Sequence, residues 1–295
     1  MKIKIIILYS IISISWGITW LFLKINVTEM PILWSLSIRF IIAGGIFWSL
    51  YFFQEEKVKY SPEIMNIYLV YSIFNFTLGY VLTYWATQYV YSNLGAIFWS
   101  LSPLFIALMA HMTLPDDKIN LKKIFSLSLG IIGTLLILYN RSSFGQEKVH
   151  WAMIALLLAV ISGSWPSVYL KKHRIKINSF HLNACGLSLS GIIILILSII
   201  FEKGQLSPLT SSSLFSLSFL ILPGTVVTWG IYIWLLNHLA ASQLSYIAFF
   251  PPVIAIITGW IFLDESLTIM PLIGAFLIIL GGFIINYNFK VKGYD

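Results

Sequence analysis

Ten apolar runs set the limits on what this chain can fold into. They occupy 5–23, 31–53, 64–86, 93–113, 121–139, 150–170, 180–201, 213–236, 242–263 and 269–289. A helix that crosses a bilayer takes about 20 predominantly apolar residues, and each run has about that length. Together they hold 215 of the 295 residues. The connections that remain run to roughly ten residues at most, too short for a folded extramembrane domain. The work of the chain is therefore expected inside the bilayer. Composition agrees. Only 10% of residues are charged and 59% are hydrophobic, against about 25% charged in an average soluble domain. A water-soluble enzyme could not cover its surface with so little charge, and disorder needs low hydrophobicity.

Charge bias supplies an orientation, because cytoplasmic loops are enriched in Lys and Arg. With a cytoplasmic N-terminus, 13 of the 18 Lys and Arg fall on the inside and four outside, and Arg39 lies within a span. The split favours ten spans with both termini cytoplasmic. It also accounts for the net charge of +7 without a nucleic-acid partner. The start, with Lys2 and Lys4 before an apolar stretch, is like a signal peptide. Trp16, Trp20 and Phe22 stand where a small-residue cleavage site belongs, so an uncleaved first span is expected. The single cysteine, Cys185, makes neither an intramolecular disulfide nor a zinc site and reads as a small buried hydrophobe.

The chain repeats itself. A shift of 148 places 103–140 on 251–288 with ten of 38 positions identical. The informative matches are Pro103/Pro251, Asp116/Asp264, Gly133/Gly281, Tyr139/Tyr287 and Asn140/Asn288. Each half holds five runs, an odd number, so the second half enters the membrane from the opposite side. Inverted repeats of this kind are a transporter device. The expected fold is all-α integral membrane, with ten transmembrane helices as two inverted-topology five-helix repeats over 1–140 and 150–289 and a cytoplasmic tail at 290–295.

These residues resemble the drug/metabolite transporter superfamily, EamA type. The resemblance rests on Ser100-Leu-Ser-Pro103 with Leu114-Pro-Asp-Asp-Lys118, and on Phe249-Phe-Pro-Pro252 with Leu263-Asp-Glu-Ser-Leu-Thr268. Trp16-Gly17, Lys24 and Arg39 match the family's early Trp-Gly, its following lysine and its second-helix arginine. It covers nearly the whole chain and implies a ten-helix, two-repeat carrier. There are two departures. Asp117 replaces the usual Glu of the first acidic turn, and Pro166 follows Trp165 where the family often has a small residue.

All eleven Asp and Glu lie at run ends or in loops. A deep carboxylate, the common proton site of coupled carriers, is missing from the runs. That favours facilitated exchange or gradient-driven export, and it argues against an intramembrane protease. The acidic turns are expected to cap the fifth helix of each repeat. Arg39 sits about 12 Å into its helix at 1.5 Å per residue, which costs about 2.5–3.5 kcal/mol on insertion scales. It is either a ligand for an anion in the pathway or a lock onto carbonyls of a neighbouring helix. The five histidines have no metal-ligand spacing, so no metal and no cofactor are expected, and His111 is the one with a conceivable proton role.

Pro103 and Pro251-Pro252 interrupt runs at equivalent places, and Pro166 and Pro223-Gly224 interrupt two more. Paired breaks are the sequence pointer to a transporter site. Aromatic residues gather around them at helical spacing. The candidate cavity residues are Trp16, Trp20, Arg39, Tyr80, Tyr84, Trp99, Ser102, Pro103, Trp165, Trp229, Tyr232, Tyr246 and Pro251. The expected function is transport, most simply export, of small organic metabolites such as amino acids by alternating access. The expected location is the bacterial cytoplasmic (inner) membrane. Partners are a small-molecule substrate and the lipid bilayer. The glycines of runs five and ten are expected to pack the two halves together, or a second protomer in a homodimer. A nucleotide-sugar exchanger and a non-transporting assembly or sensor subunit are the alternatives.

Overall fold

The computed structural model describes residues 2–55, 58, 61–90, 92–138, 148–203, 210–262 and 269–286. Among these the chain is helical, and the helices join into ten successive segments. We label them α1 (Lys2–Glu29), α2 (Ile32–Phe52), α3 (Pro62–Thr87), α4 (Ser92–Trp99 with Ser102–Thr113), α5 (Leu121–Leu138), α6 (Val149–His173), α7 (Ser179–Phe201), α8 (Ser211–His238), α9 (Ala241–Ser245, Tyr246–Phe249 and Phe250–Phe262 in succession) and α10 (Ile269–Asn286). Seven are long and apolar enough among the described residues to cross a membrane: α1, α2, α3, α4, α6, α7 and α8. Residues outside the described set adjoin α5, α9 and α10.

Local chemistry starts these helices. Ser61 Oγ accepts from Ile64 N, with Pro62 at the first helical position of α3. Asn178 Oδ1 accepts from Phe180 N and His181 N to open α7. Thr210 and Ser213 form a capping box at α8. Asn120 Oδ1 accepts from Lys123 N at the start of α5 (2.9 Å). Asn120, rather than the expected Asp116-Asp117, therefore caps the fifth helix. The equivalent Asp264-Glu265 lies outside the described residues.

The helices pair with a pseudo-twofold pattern. The most extensive contacts join α2 to α7 and α5 to α10, which are equivalent helices of the two halves. The pairings α1–α9 and α1–α8 are matched by α6–α4 and α6–α3. A Cβ on Gly281 would lie 2.8 Å from Ser126 O, so the α10 glycine is used against α5 of the same chain. Large apolar side chains such as Phe53, Met112, Leu121 and Phe201 face outward, an apolar exterior suited to lipid.

The turns sort into two sets at opposite ends. At one end Gln54 Oε1 accepts from Asn178 (2.6 Å), Arg174 pairs with Asp116 (3.3 Å), and Asn237 bonds Ile177 O (2.7 Å). Asp117 is buried there. Its carboxylate pairs with Lys123 and accepts from Ser242 N (3.1 Å) and Ser242 Oγ at the start of α9. At the other end Lys24 Nζ donates to Thr87 O and Val90 O (2.9 and 2.8 Å). Glu202 accepts from Leu33 N and Trp34 N at the start of α2 (2.8 and 2.9 Å), where a carboxylate also meets the positive end of the helix.

Candidate functional site

Four helices lose regular α geometry, and they do so in equivalent pairs. In α3, residues Tyr71–Gly79 are a π-helix, and in α8 so are Leu222–Val227, which correspond to 74–79 under the 148-residue shift. In α4 the helix breaks at 100–101 and restarts at Ser102-Pro103; in α9 a 3₁₀ turn, Tyr246–Phe249, precedes Pro251. Pro223 and Pro251 each lack an N–H, which interrupts the helical ladder. Pro166, by contrast, lies inside an unbroken α6, so the expected interruption there does not occur.

The irregular backbone is satisfied by neighbours, as it must be at membrane depth. Ser162 Oγ of α6 donates to Phe74 O (2.6 Å), and Thr225 Oγ1 donates to Leu220 O (2.7 Å). Arg39, 1% exposed, reaches from α2 to the π-helix of α8 and to the regular helical part of α3. Its Nε donates to Thr225 Oγ1 (2.8 Å), one terminal nitrogen to Gly224 O (3.1 Å) and the other to Tyr84 OH (3.0 Å). Hydrogen bonds from a charged group contribute about 1.5–3 kcal/mol each, so three offset the insertion cost of the charge.

These breaks surround a cavity of about 120 Å³ between the two halves. Its walls are Trp16, Thr19, Trp20 and Leu23 of α1, Arg39 of α2, Asn75, Tyr80, Thr83 and Tyr84 of α3, and Trp99, Ser102 and Ile106 of α4. The second half contributes Gly163 and Ser164 of α6, Trp229 and Tyr232 of α8, and Ser245, Ile247, Ala248 and Pro251 of α9. The aromatics form a connected wall. Trp229 Nε1 donates to Tyr80 OH (2.8 Å) and Trp99 Nε1 to Thr83 Oγ1 (3.0 Å). The Trp16 ring lies 5.8 Å from that of Trp229 and 5.6 Å from Tyr232. Two glycines let the rings settle: a Cβ on Gly95 would lie 2.2 Å from the Trp20 ring, and one on Gly163 would lie 2.6 Å from that of Trp99. Arg39 is thus both a lock onto a neighbour's carbonyl and a wall of the cavity.

Of the thirteen residues singled out from sequence, the structure brings ten to this cavity: Trp16, Trp20, Arg39, Tyr80, Tyr84, Trp99, Ser102, Trp229, Tyr232 and Pro251. Three are elsewhere. Tyr246 is fully buried against Phe249, and its OH donates to Lys123 O (3.3 Å). Trp165 turns to Tyr169, with ring centroids 5.8 Å apart. Pro103 is buried one residue past the cavity-lining Ser102. His111 is exposed, and its Nδ1 accepts from Ile119 N (3.2 Å), a loop contact rather than a place in the pathway. Sequence reasoning missed the other ten lining residues, among them Asn75, Thr83, Gly163 and Ser164. Thr77/Thr225 and Tyr84/Tyr232, also matched by the 148-residue shift, would have marked the segments that carry the first two.

Apolar-faced helices around a central cavity lined by paired helix breaks define a polytopic membrane protein built from two like halves. The chain belongs to the EamA-like transporter family, whose model matches it twice, over residues 3–139 and 150–287. It is 29% identical to a Bacillus subtilis protein named uncharacterized transporter YoaV, over 96% of this chain and 98% of that one. It is also 29% identical to protein PagO of Salmonella typhimurium, over 94% and 93% of the two chains. One solved crystal structure overlays with a TM-score of 0.80 at 15% identity, covering 96% of each chain, a likeness of fold. The family, and the transporter name of the Bacillus relative, indicate a membrane transporter, not an enzyme.

Proposed function

We propose that the chain is a carrier that exports a small organic solute, of amino-acid size, by alternating access across a bacterial cytoplasmic (inner) membrane. One observation carries the reading: the paired breaks of α3/α8 and α4/α9, at equivalent registers, line one cavity between the two halves. In this reading all ten segments span the bilayer. The sorting of alternate turns to opposite ends supports that, and the Lys and Arg bias supports cytoplasmic termini. Two five-span halves of opposite topology then exchange conformations to open the cavity to each side in turn.

The size of the cavity favours a small solute. A cavity of about 150 Å³ accepts one benzene, and this one, at about 120 Å³, is of that order, room for one compact solute. A nucleotide sugar would demand a much larger opening. The partners are the solute and the bilayer. With the α10 glycine turned to α5 within the chain, a homodimer would use another face. Counterflow tests the reading, using proteoliposomes that contain only this protein and a panel of amino acids, nucleosides and nucleotide sugars. Saturable, trans-stimulated exchange of amino acids is expected. Exchange confined to nucleotide sugars, or none with or without an imposed proton gradient, contradicts it.

A further inference from the structure

Within the cavity wall one buried polar atom has no hydrogen-bond partner among the described residues: Nδ2 of Asn75. Asn75 is 1% exposed and lies in the π-helical part of α3. A buried amide donor is costly to leave unmade, and such atoms in a native site call for an absent partner. The same wall carries Arg39, whose three hydrogen bonds all go to neutral acceptors: a hydroxyl of Thr225, the phenol of Tyr84 and the carbonyl of Gly224. Neither ion pair found among the described residues involves it. A guanidinium has five N–H donors, and its charge at this depth meets no carboxylate of the described chain. The cavity wall thus carries one net positive charge and one buried amide donor that no described residue satisfies, among aromatic, aliphatic and hydroxyl side chains.

We propose that Asn75 is a specificity-determining residue that donates through Nδ2 to a carboxylate oxygen of the solute, in the positive field of Arg39. The remainder of the solute lies against the indole faces of Trp16 and Trp229. Asn75 is the selective half of this pair, because Arg39 also braces α2 against α8. The inference rests on the cavity being the solute site, and it adds the chemical group that is recognised there.

The test is equilibrium binding to the detergent-purified full chain, with L-amino acids from alanine to phenylalanine, their amides and the corresponding amines as probes. The wild-type protein is expected to prefer acids over the matching amines at least tenfold, with the amides between. Asn75→Leu removes the donor, and Asn75→Asp replaces it with an acceptor of the same size. Both should lose most of that preference, Asn75→Leu through weaker acid binding and Asn75→Asp also through stronger amine binding, because its carboxylate attracts the ammonium. If one variant fails to fold by thermal unfolding, the other carries the test. Equal wild-type affinity for acid, amide and amine overturns the proposal. So does acid preference that survives both substitutions, or binding of none of the probes. Binding is read without a membrane, so it fails separately from transport: acid-selective binding without counterflow would sink the carrier reading alone, and counterflow untouched by Asn75→Leu would sink this inference alone.

Discussion

Arg39 Nε–H donates to Thr225 Oγ1 at 2.8 Å, tying α2 to the π-helix of α8. The other half has a counterpart, in which Thr77 of the α3 π-helix donates to Ser190 of α7 at 2.9 Å. Thr77 and Thr225 are equivalent under the repeat shift. One pair is neutral and the other is charged, so the symmetry of the backbone is broken chemically at the cavity wall.

Arg39 should not tolerate replacement by lysine. An ammonium keeps the charge but lacks the planar fork that reaches Thr225, Gly224 and Tyr84 together. Arg39→Lys is expected to lower solute exchange at least tenfold. Arg39→Leu should also destabilise, since it orphans acceptors at about 1–3 kcal/mol each. Uptake assays with thermal unfolding of the purified variants check both. Wild-type exchange by Arg39→Lys would show that only the charge matters.

The Asp117–Lys123 pair closes one end of the bundle against Ser242, with both side chains buried. Removing one partner of a buried pair strands the other charge, at about 3–5 kcal/mol. Asp117→Ala should therefore lower the melting temperature sharply. Ala at the exposed Asp116, paired to Arg174 across 3.3 Å, should cost at most about 1 kcal/mol. Similar melting temperatures for the two variants would refute the assignment.

Gly95 should be intolerant of any side chain. A Cβ there would lie 2.2 Å from the Trp20 ring, and overpacking costs about 1–3 kcal/mol. Gly95→Ala is expected to displace Trp20 and weaken solute affinity several-fold, read by binding. An unchanged affinity would place Trp20 outside the recognition surface.

Trp229 and Tyr246 separate cavity from scaffold. Trp229→Phe removes the donor to Tyr80 OH and should change solute preference. Tyr246→Phe removes a bond to Lys123 O on the far side of α9 and should leave preference intact. A competition profile across the amino-acid panel measures both. The reverse pattern would invalidate the wall as drawn.

The fold was readable because each long apolar run carries its own signal and the Pro, Asp and Gly matches betray duplication. The cavity was readable where proline marks the break, as at Pro223 and Pro251. The π-helix over Tyr71–Gly79 contains no proline, so nothing local announced it, and Asn75 went unnoticed with it. Tyr246 lies off the wall because it opens the 3₁₀ turn Tyr246–Phe249, whose three residues per turn set its side chain on a different face from Pro251. Trp165 and Pro103 fail by one position: adjacent helical residues point about 100° apart, so Ser164 and Ser102 take the wall instead.

Two-sided thiol labelling tests alternating access about this cavity most directly. Cys185 is the only cysteine, so Cys185→Ser gives a blank background in which Ser102→Cys places a single thiol on the wall. With membrane-impermeant reagents in sealed vesicles, that thiol should react from either side, and saturating solute should slow both reactions. Reaction from one side only, unaffected by any solute that the protein binds, would contradict a carrier that opens this cavity to each side in turn.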